Sequence, residues 1–173
     1  GGVKSFMGGP QSPNRMLIRQ DGTRRTDMDR HEFFEKLFRY AEGEVELRAL
    51  PSKDRAFLAI GDTKGIDAFC AKHAAENLYF GVSTRNGGGT KEHIKDIVSV
   101  WVDIDFKDTD RDQARKAVKE FPLAPTFIIQ SGNGAHVYWV LTEALGKEFI
   151  GEHEKINRQL AVHFSADMAA TDS

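Results

Sequence analysis

The amino-acid sequence predicts a single α+β domain built on one mixed or antiparallel sheet, with helices packed chiefly against one face of that sheet. Three observations lead to this fold class. A nearly uninterrupted apolar run over residues 97–105 predicts a central strand, two pairs of short segments predict hairpins, and the segments between them repeat apolar residues at helical spacing. With 173 residues, the chain can bury one two-layer core but not two full ones.

The chain begins with a segment that we expect to lie outside the fold. Residues 1–14 are rich in Gly, Pro and Ser and show no periodicity, so we predict a flexible lead followed by one domain over residues 15–173. Helical spacing predicts a helix from Met28 to Tyr40. Residues 45–50 and 55–60 form the first predicted hairpin, and a helix over 65–75 and a strand over 78–83 follow.

The second half of the domain is organised around the strand at 97–105. A helix is predicted over residues 110–120, followed by a strand at 126–130, a glycine-containing turn at 131–135 and a returning strand at 136–141. Residues 147–164 place apolar side chains on one helical face, which predicts the last helix. The order of elements is therefore strand, helix, hairpin, helix.

Composition narrows the class of protein. No stretch approaches the roughly 18 apolar residues that a membrane span needs, and a single cysteine, Cys70, excludes both an internal disulfide and a thiolate zinc site. We therefore expect a cytoplasmic protein with no membrane partner. The net charge of −2 argues against a uniformly basic nucleic-acid-binding surface but leaves room for local basic clusters, each of which is equally well a solvated face. These clusters are Arg15, Arg19, Arg24, Arg25 and Arg30, and Arg111, Arg115, Lys116 and Lys119.

Two acidic residues end the central strand. Side chains alternate along a strand, so Asp103 and Asp105 share one face and lie roughly 7 Å apart, while Val102 and Ile104 point to the other face. Paired carboxylates on a buried strand are costly unless basic groups or hard divalent cations offset their repulsion. The pair is thus a candidate magnesium site, although two surface residues at a strand end would show the same spacing.

A glycine turn delivers a histidine onto the next strand. Ser131 to His136 reads Ser-Gly-Asn-Gly-Ala-His, and its glycines permit a tight turn and the close approach of a ligand. His136 at the mouth of a strand can donate a hydrogen bond to a phosphate, or it can simply pack and bond a neighbour. The residues alone leave both interpretations open.

Two further segments contain candidate site residues. Asp167, after the last helix, is either the end of that helix or a third carboxylate near the first two. Arg85 and Lys91 flank the glycine loop 86–90, which is not a P-loop because it lacks the Gly-Lys-Ser/Thr ending. They are candidates for phosphate contact, and an ordinary flexible connection is the alternative.

In this order, the segments resemble the three motifs of archaeo-eukaryotic primases, particularly the plasmid and phage primase-polymerases. The resemblance spans about residues 43–173 and rests on Asp103-Ile104-Asp105, on Ser131 to His136 leading into Val-Tyr-Trp-Val, and on Asp167 with Thr171-Asp172. It implies a catalytic core like an RNA recognition motif (RRM-like) beside a smaller N-terminal α/β unit. The short Arg, Pro and Gly segment that follows the third motif in relatives is not found before Ser173, so we expect a trimmed domain.

The resemblance also implies a chemistry and partners. Asp103, Asp105 and Asp167 would hold two Mg²⁺ or Mn²⁺ ions, with Asp172 as the alternative third acid, and His136 would hold the phosphates of a nucleoside triphosphate above a turn shaped by Ser131 and Gly134. The implied enzyme is a nucleotidyltransferase that primes or extends on single-stranded DNA in plasmid or phage replication, often joined to a helicase.

Other functions remain open at the sequence level. One alternative is a glycosyltransferase that uses a DxD motif to bind a nucleotide sugar, but that function does not account for the glycine turn and the histidine. Another is a replication-initiator endonuclease, which would need paired histidines near His136. An inert RRM-like nucleic-acid-binding module would favour basic and aromatic residues where this chain has paired acids. Trp101 shares a face with Asp103, where it would lie beneath a base or sugar unless it is buried in the central strand.

Overall fold

The computed structural model describes residues 3–5, 16–20, 24–131 and 133–165, and side chains within 29–130 and 133–165. Within these residues the helices are α1 (Arg30–Leu37), α2 (Thr63–Lys72), α3 (Arg111–Glu120) and α4 (Ile150–His163), with short 3₁₀ turns at Lys91–His93 and Lys147–Phe149. The strands are β1 (Val3–Ser5), β2 (Met16–Gln20), β3 (Arg24–Met28), β4 (Glu44–Leu50), β5 (Arg55–Ala59), β6 (Asn77–Gly81), β7 (Ser83–Arg85), β8 (Ile94–Asp105), β9 (Phe127–Ser131) and β10 (Gly134–Leu145).

The strands form one sheet in which all described pairings are antiparallel. Its order is β1-β6-β4-β7-β8-β10-β9-β2-β3, with β5 paired to β4. The predicted α+β class is confirmed. The succession β8-α3-β9-β10-α4, with β10 between β8 and β9, corresponds to the βαββα part of an RRM-like core.

Residues 3–5 depart from the predicted flexible lead. They pair with β6, Val3 opposite Gly81 and Ser5 opposite Tyr79, so this part of the lead belongs to the sheet. These residues become an edge strand through pairing with β6, although their composition shows no strand pattern. The other residues of 1–14 lie outside the described residues.

The core consists of two clusters on opposite faces of β8 and β10. Phe33 of α1 and Phe69 of α2 belong to the cluster that contains Trp101 and Tyr138. The other cluster combines α3 and α4 with alternate residues of the same strands, namely Ala114, Leu160, Ala161, Phe164, Val102, Ile104, Val137 and Trp139. Helices therefore cover both faces, and the expectation that they pack chiefly on one face is wrong.

Side chains of α4 form hydrogen bonds with backbone groups of β8 beyond the stretch of β8 that pairs with β7. The Asn157 side chain, fully buried, accepts the Trp101 amide N–H at 3.1 Å, and His153 Nε2 contacts the Ser99 carbonyl oxygen at 2.7 Å. Burial lowers the pKa of His153, so the neutral imidazole donates this hydrogen bond. These contacts fix the strand that ends in Asp103 and Asp105.

A charged cluster holds the β4–β5 turn against the end of α2. The buried His73 bonds Asp54 through Nε2 at 2.9 Å and Glu76 through Nδ1. Lys72 donates to Asp54 at 2.7 Å, and the Ser52 amide donates to Glu76 at 2.7 Å. The turn is thus tied to α2 by charge-assisted hydrogen bonds.

Acid unfolding is expected to depend on Asp54. The pKa of its carboxyl is lowered from 3.8 to about 2, first by the hydrogen bond from Lys72 and then by those of the Arg55 amide and His73. Because the folded state has the lower pKa, its contribution to stability is complete above about pH 4 and is lost as the pH falls toward about 2. Asp54→Asn should therefore flatten the fall in Tm between pH 4 and 2, followed by circular dichroism at constant ionic strength. The same slope in both proteins would contradict this role.

In the described part of the chain, no helix combines the length and the apolar character that crossing a membrane requires.

Candidate active site

The paired ends of β8 and β10 bring four predicted site residues together. The register places His136 opposite Asp103 and Gly134 opposite Asp105, and residues directly opposite on antiparallel strands share a face. His136 Nε2 lies 3.3 Å from Asp103 Oδ1. The sequence placed these residues in two separate motifs, and the β8–β10 ladder makes them one site.

The exposure of these side chains differs, which suggests separate roles. The His136 side chain is 7 % exposed and that of Asp103 is 29 % exposed, so the ring is fixed by packing while the carboxylate reaches solvent. Asp105, also half-buried, accepts the Lys107 amide N–H through Oδ1 at 2.8 Å. That bond orients one carboxylate oxygen and leaves the other for a ligand.

Gly134 is required by the close approach of the two strands. A Cβ atom added there would lie 2.3 Å from the Ile104 carbonyl oxygen, far inside contact distance, so no side chain fits without moving β10. The Phe106 amide also donates to the Asn133 carbonyl oxygen at 2.9 Å. The hairpin turn therefore clamps the end of β8 next to Asp105, a contact that the sequence analysis did not predict.

A buried aromatic layer lies on the same face, two residue pairs along the ladder from Asp103 and His136. Tyr138 and Trp101 are opposite each other in the ladder, and both are almost fully buried. Burial, with the nearby Asp103 carboxylate, raises the pKa of Tyr138, so the phenol stays neutral and protonated. Trp101 contacts the His153 ring at 4.9 Å between centroids, and it is not accessible to a base or sugar.

Arg85 lies away from this site. Its side chain is 2 % exposed, near Glu46 at 3.5 Å, and donates to the Thr90 carbonyl oxygen at 2.9 Å. Arg85 pairs with Ile94, at the start of β8, whereas Asp103 is nine residues further along, about 30 Å for an extended strand. In this structure Arg85 holds the glycine loop instead of facing the Asp103 site. Lys91 forms an ion pair with Glu154.

Several predicted residues fall outside the described part of the chain. Asp167 and Asp172, the two candidates for the third acid, lie there, and so does Arg15. Ser131 is described only as the backbone partner of Gly134. Arg30 is buried and bonds Asp67 at 2.6 Å, so this member of the N-terminal arginine cluster is structural.

The described donors fit a divalent cation that uses few protein ligands. Within the described ranges, no three or more His, Cys, Asp or Glu residues are grouped as metal ligands would be. Mg²⁺ commonly takes one or two carboxylates and completes its shell with water and substrate phosphates. Asp103 and Asp105, partly exposed on one face of the sheet, match that donor set.

Comparison with solved structures identifies a similar domain. The chain is similar to the archaeo-eukaryotic primase (AEP) domain of the cyanophage S-2L primase-polymerase, with a TM-score of 0.56 over 81% of this chain and 74% of that chain. The chain has an AEP-like fold. At 16% sequence identity the similarity concerns the fold alone, and no family model and no curated protein matches the sequence.

Proposed function

We propose that this AEP-like domain is a DNA primase-polymerase, a nucleotidyltransferase that makes or extends primers on a single-stranded DNA template. The observation that carries the proposal is the cross-strand placement of Asp103, Asp105 and His136 on a partly open face. The fold of the cyanophage domain supports it independently. Fold similarity alone does not establish an activity, so the site carries the argument.

The carboxylates have the first role in this proposal. Asp103 and Asp105 hold two Mg²⁺ or Mn²⁺ ions, with Asp167 as the proposed third acid and Asp172 as the alternative. When bound, such ions lower the pKa of an attacking 3′-hydroxyl and stabilise the departing pyrophosphate. The Lys107 amide keeps the Asp105 carboxylate oriented, and the Asn133–Phe106 bond keeps the strand end in place.

His136 has the second role, which is to hold the nucleotide phosphates. Its ring is buried beside Asp103, so its position is fixed before the substrate arrives. A fixed N–H donor next to a carboxylate pair can orient a triphosphate toward the ions without paying much conformational entropy. The absence of a side chain at Gly134 lets β10 lie close to the end of β8, which keeps His136 beside the carboxylates.

The template contact is proposed for the basic segments. The β2–β3 hairpin pairs with β9 on the far side of β10 and places Arg19 opposite Arg25 and Gln20 opposite Arg24 in its ladder. A polyanionic strand would offset this concentration of positive charge, so DNA binding should weaken as salt rises. A helicase, in the same chain or as a separate protein, is the proposed partner that supplies single-stranded template.

Nucleotide incorporation tests the proposed function. The chain is incubated with labelled nucleotides and single-stranded DNA, with and without an annealed primer, and with Mg²⁺, Mn²⁺ or EDTA. Metal-dependent, template-directed products are expected, and products without a primer would add priming to extension. DNA binding without any product would favour an inert RRM-like module, whereas turnover of a nucleotide sugar would favour a glycosyltransferase.

Replacing His136 is expected to weaken nucleotide binding more than chemistry. In His136→Gln the KM for the incoming nucleotide should rise about tenfold, because one charge-assisted hydrogen bond to a phosphate is lost. The kcat should change less than the KM, and single-stranded DNA affinity should stay unchanged. Steady-state primer extension with varied nucleotide gives both constants. A fall in kcat at constant KM would assign His136 to the chemical step instead.

A further inference from the structure

A cavity of about 440 Å³ lies on the other face of the sheet from Asp103 and His136. Its floor includes Ile104, Ile128 and Val137, which alternate with the site residues and so point away from them. Helix α3 forms its roof. The cavity is therefore separated from the proposed catalytic site by the thickness of the sheet.

The cavity is apolar, and short side chains leave it open. Ala114 of α3, Ala135 of β10 and Ala124 of the connecting loop all contribute to its wall, beside the larger Val118 and Phe121. Its volume falls within the roughly 300–1,000 Å³ typical of small-molecule sites, which are mostly apolar with a few polar groups.

The loop wall is held in place by the sheet. The Trp139 indole N–H donates to the Leu123 carbonyl oxygen at 2.9 Å. The Thr126 amide donates to the Tyr138 carbonyl oxygen at 2.8 Å, and the Thr126 hydroxyl oxygen accepts the Val140 amide N–H at 3.0 Å. These bonds prevent the loop from collapsing onto α3, so the cavity is preformed.

Cations line one edge of the cavity. Arg111, Arg115 and Lys119 are four residues apart on α3, so they form a stripe of about 12 Å along the helix. Within the described residues, no carboxylate forms an ion pair with Arg115 or Lys119. The acid Glu120 lies 3.9 Å from Lys116 instead. The rim is therefore positively charged while the interior is apolar.

We propose that this cavity binds a small amphipathic anion, whose apolar body fills the space under α3 and whose carboxylate, phosphate or sulfonate contacts Arg115 and Lys119. A neutral apolar molecule would leave the two cations without a counter-charge. A compact polar anion would leave the apolar walls of the cavity exposed to water. Only a ligand with both parts complements both features. The proposal concerns the rear of the sheet and does not depend on polymerase activity.

Calorimetric titration of the 173-residue chain with decanoate tests the proposal. Saturable binding to one site is expected. Decanol, which lacks the charge, and butyrate, which lacks the long chain, should each bind about tenfold or more weakly, because each removes one of the two interactions.

Three variants assign the binding to this cavity. The double variant Arg115→Gln/Lys119→Gln should weaken decanoate binding about tenfold, whereas Lys116→Gln, on the same helix but outside the cavity, should leave it unchanged. Ala114→Leu extends a larger side chain into the cavity and should abolish decanoate binding, and its Tm shows whether the variant is still folded.

Three outcomes would overturn the proposal. These outcomes are no saturable binding to the folded wild type, equal affinity for decanol and decanoate, and unchanged affinity in Arg115→Gln/Lys119→Gln. A concentration-dependent dimer that disappears in Ala114→Leu would show that a second copy of the chain fills the cavity, and it would also reject the anion. Because the readout is binding without nucleotide or DNA, failure here leaves the proposed polymerase function untouched.

Discussion

Asparagine at Asp103 or Asp105 is expected to abolish most nucleotide incorporation while the fold is retained. Each substitution keeps the shape of the side chain but removes one of the two charges that would hold divalent cations. Losing about 4 kcal/mol of transition-state stabilisation lowers the rate on the order of 10³-fold. Primer extension under single-turnover conditions measures this rate. The double variant should lose little more than either single variant, because the two residues act as one unit.

The melting temperature and a variant of a nearby exposed carboxylate provide the controls for this result. Removing one of two like charges that face the same side relieves repulsion, so Tm without metal should stay the same or rise. Asp108→Asn, an exposed residue just after the strand, is the matched variant and should retain full activity. Unchanged incorporation in Asp103→Asn would exclude the proposed site, and a large fall in Tm would show that the carboxylate is structural.

The central part of this site could be predicted from the sequence because its signals are local. Alternation along residues 97–105 is enough to put Asp103 and Asp105 on one face. The glycine turn before His136 is enough to predict a returning strand. The direct opposition of His136 and Asp103 also depends on the β8–β10 register, which the glycine turn does not specify by itself.

Arg85 shows where local patterns were insufficient. The local sequence of a basic residue beside a glycine loop is the same whether its side chain faces a phosphate or a buried carboxylate. The deciding partner, Glu46, is only 1 % exposed and comes from β4, about forty positions earlier in the chain. Burial lowers the pKa of Arg85, and Glu46 opposes that shift. Long-range pairing of this kind is set by the sheet order, which no single segment encodes.

The strands β2 and β3, at one end of the sheet, were likewise not predicted from the sequence. Strand β2 pairs with β3 and with β9, yet both strands have only five residues, β3 carries three charges, and neither shows a clear alternation of apolar and polar residues. The strand preference of a residue depends on its neighbours and its burial, so short strands near the end of a sheet are hard to predict from their own residues. The sequence also does not predict that helices cover both faces of the sheet. Helical spacing shows that a helix has an apolar face, but it does not show which face of the sheet that helix covers.

The second large effect is expected from Gly134→Ala. The added methyl carbon would lie 2.3 Å from the Ile104 carbonyl oxygen, so β10 must move away from β8 where Gly134 opposes Asp105. Overpacking of this kind should lower the free energy of unfolding by about 1–3 kcal/mol. A shift on the order of 1 Å between His136 and Asp103 should lower incorporation about 100-fold.

Gly151→Ala is the matched control, because a Cβ at this position in α4 meets nothing within 4 Å. It should raise the free energy of unfolding by about 0.5 kcal/mol, since alanine favours the helix, and leave incorporation unchanged. Urea unfolding and primer extension, both well below the Tm of each variant, separate the effect on activity from unfolding. If Gly134→Ala were as active as Gly151→Ala, the spacing of β8 and β10 would not control the chemistry. The proposed pairing of His136 with the carboxylates would then lose its structural basis, because that pairing depends on the two strands being this close.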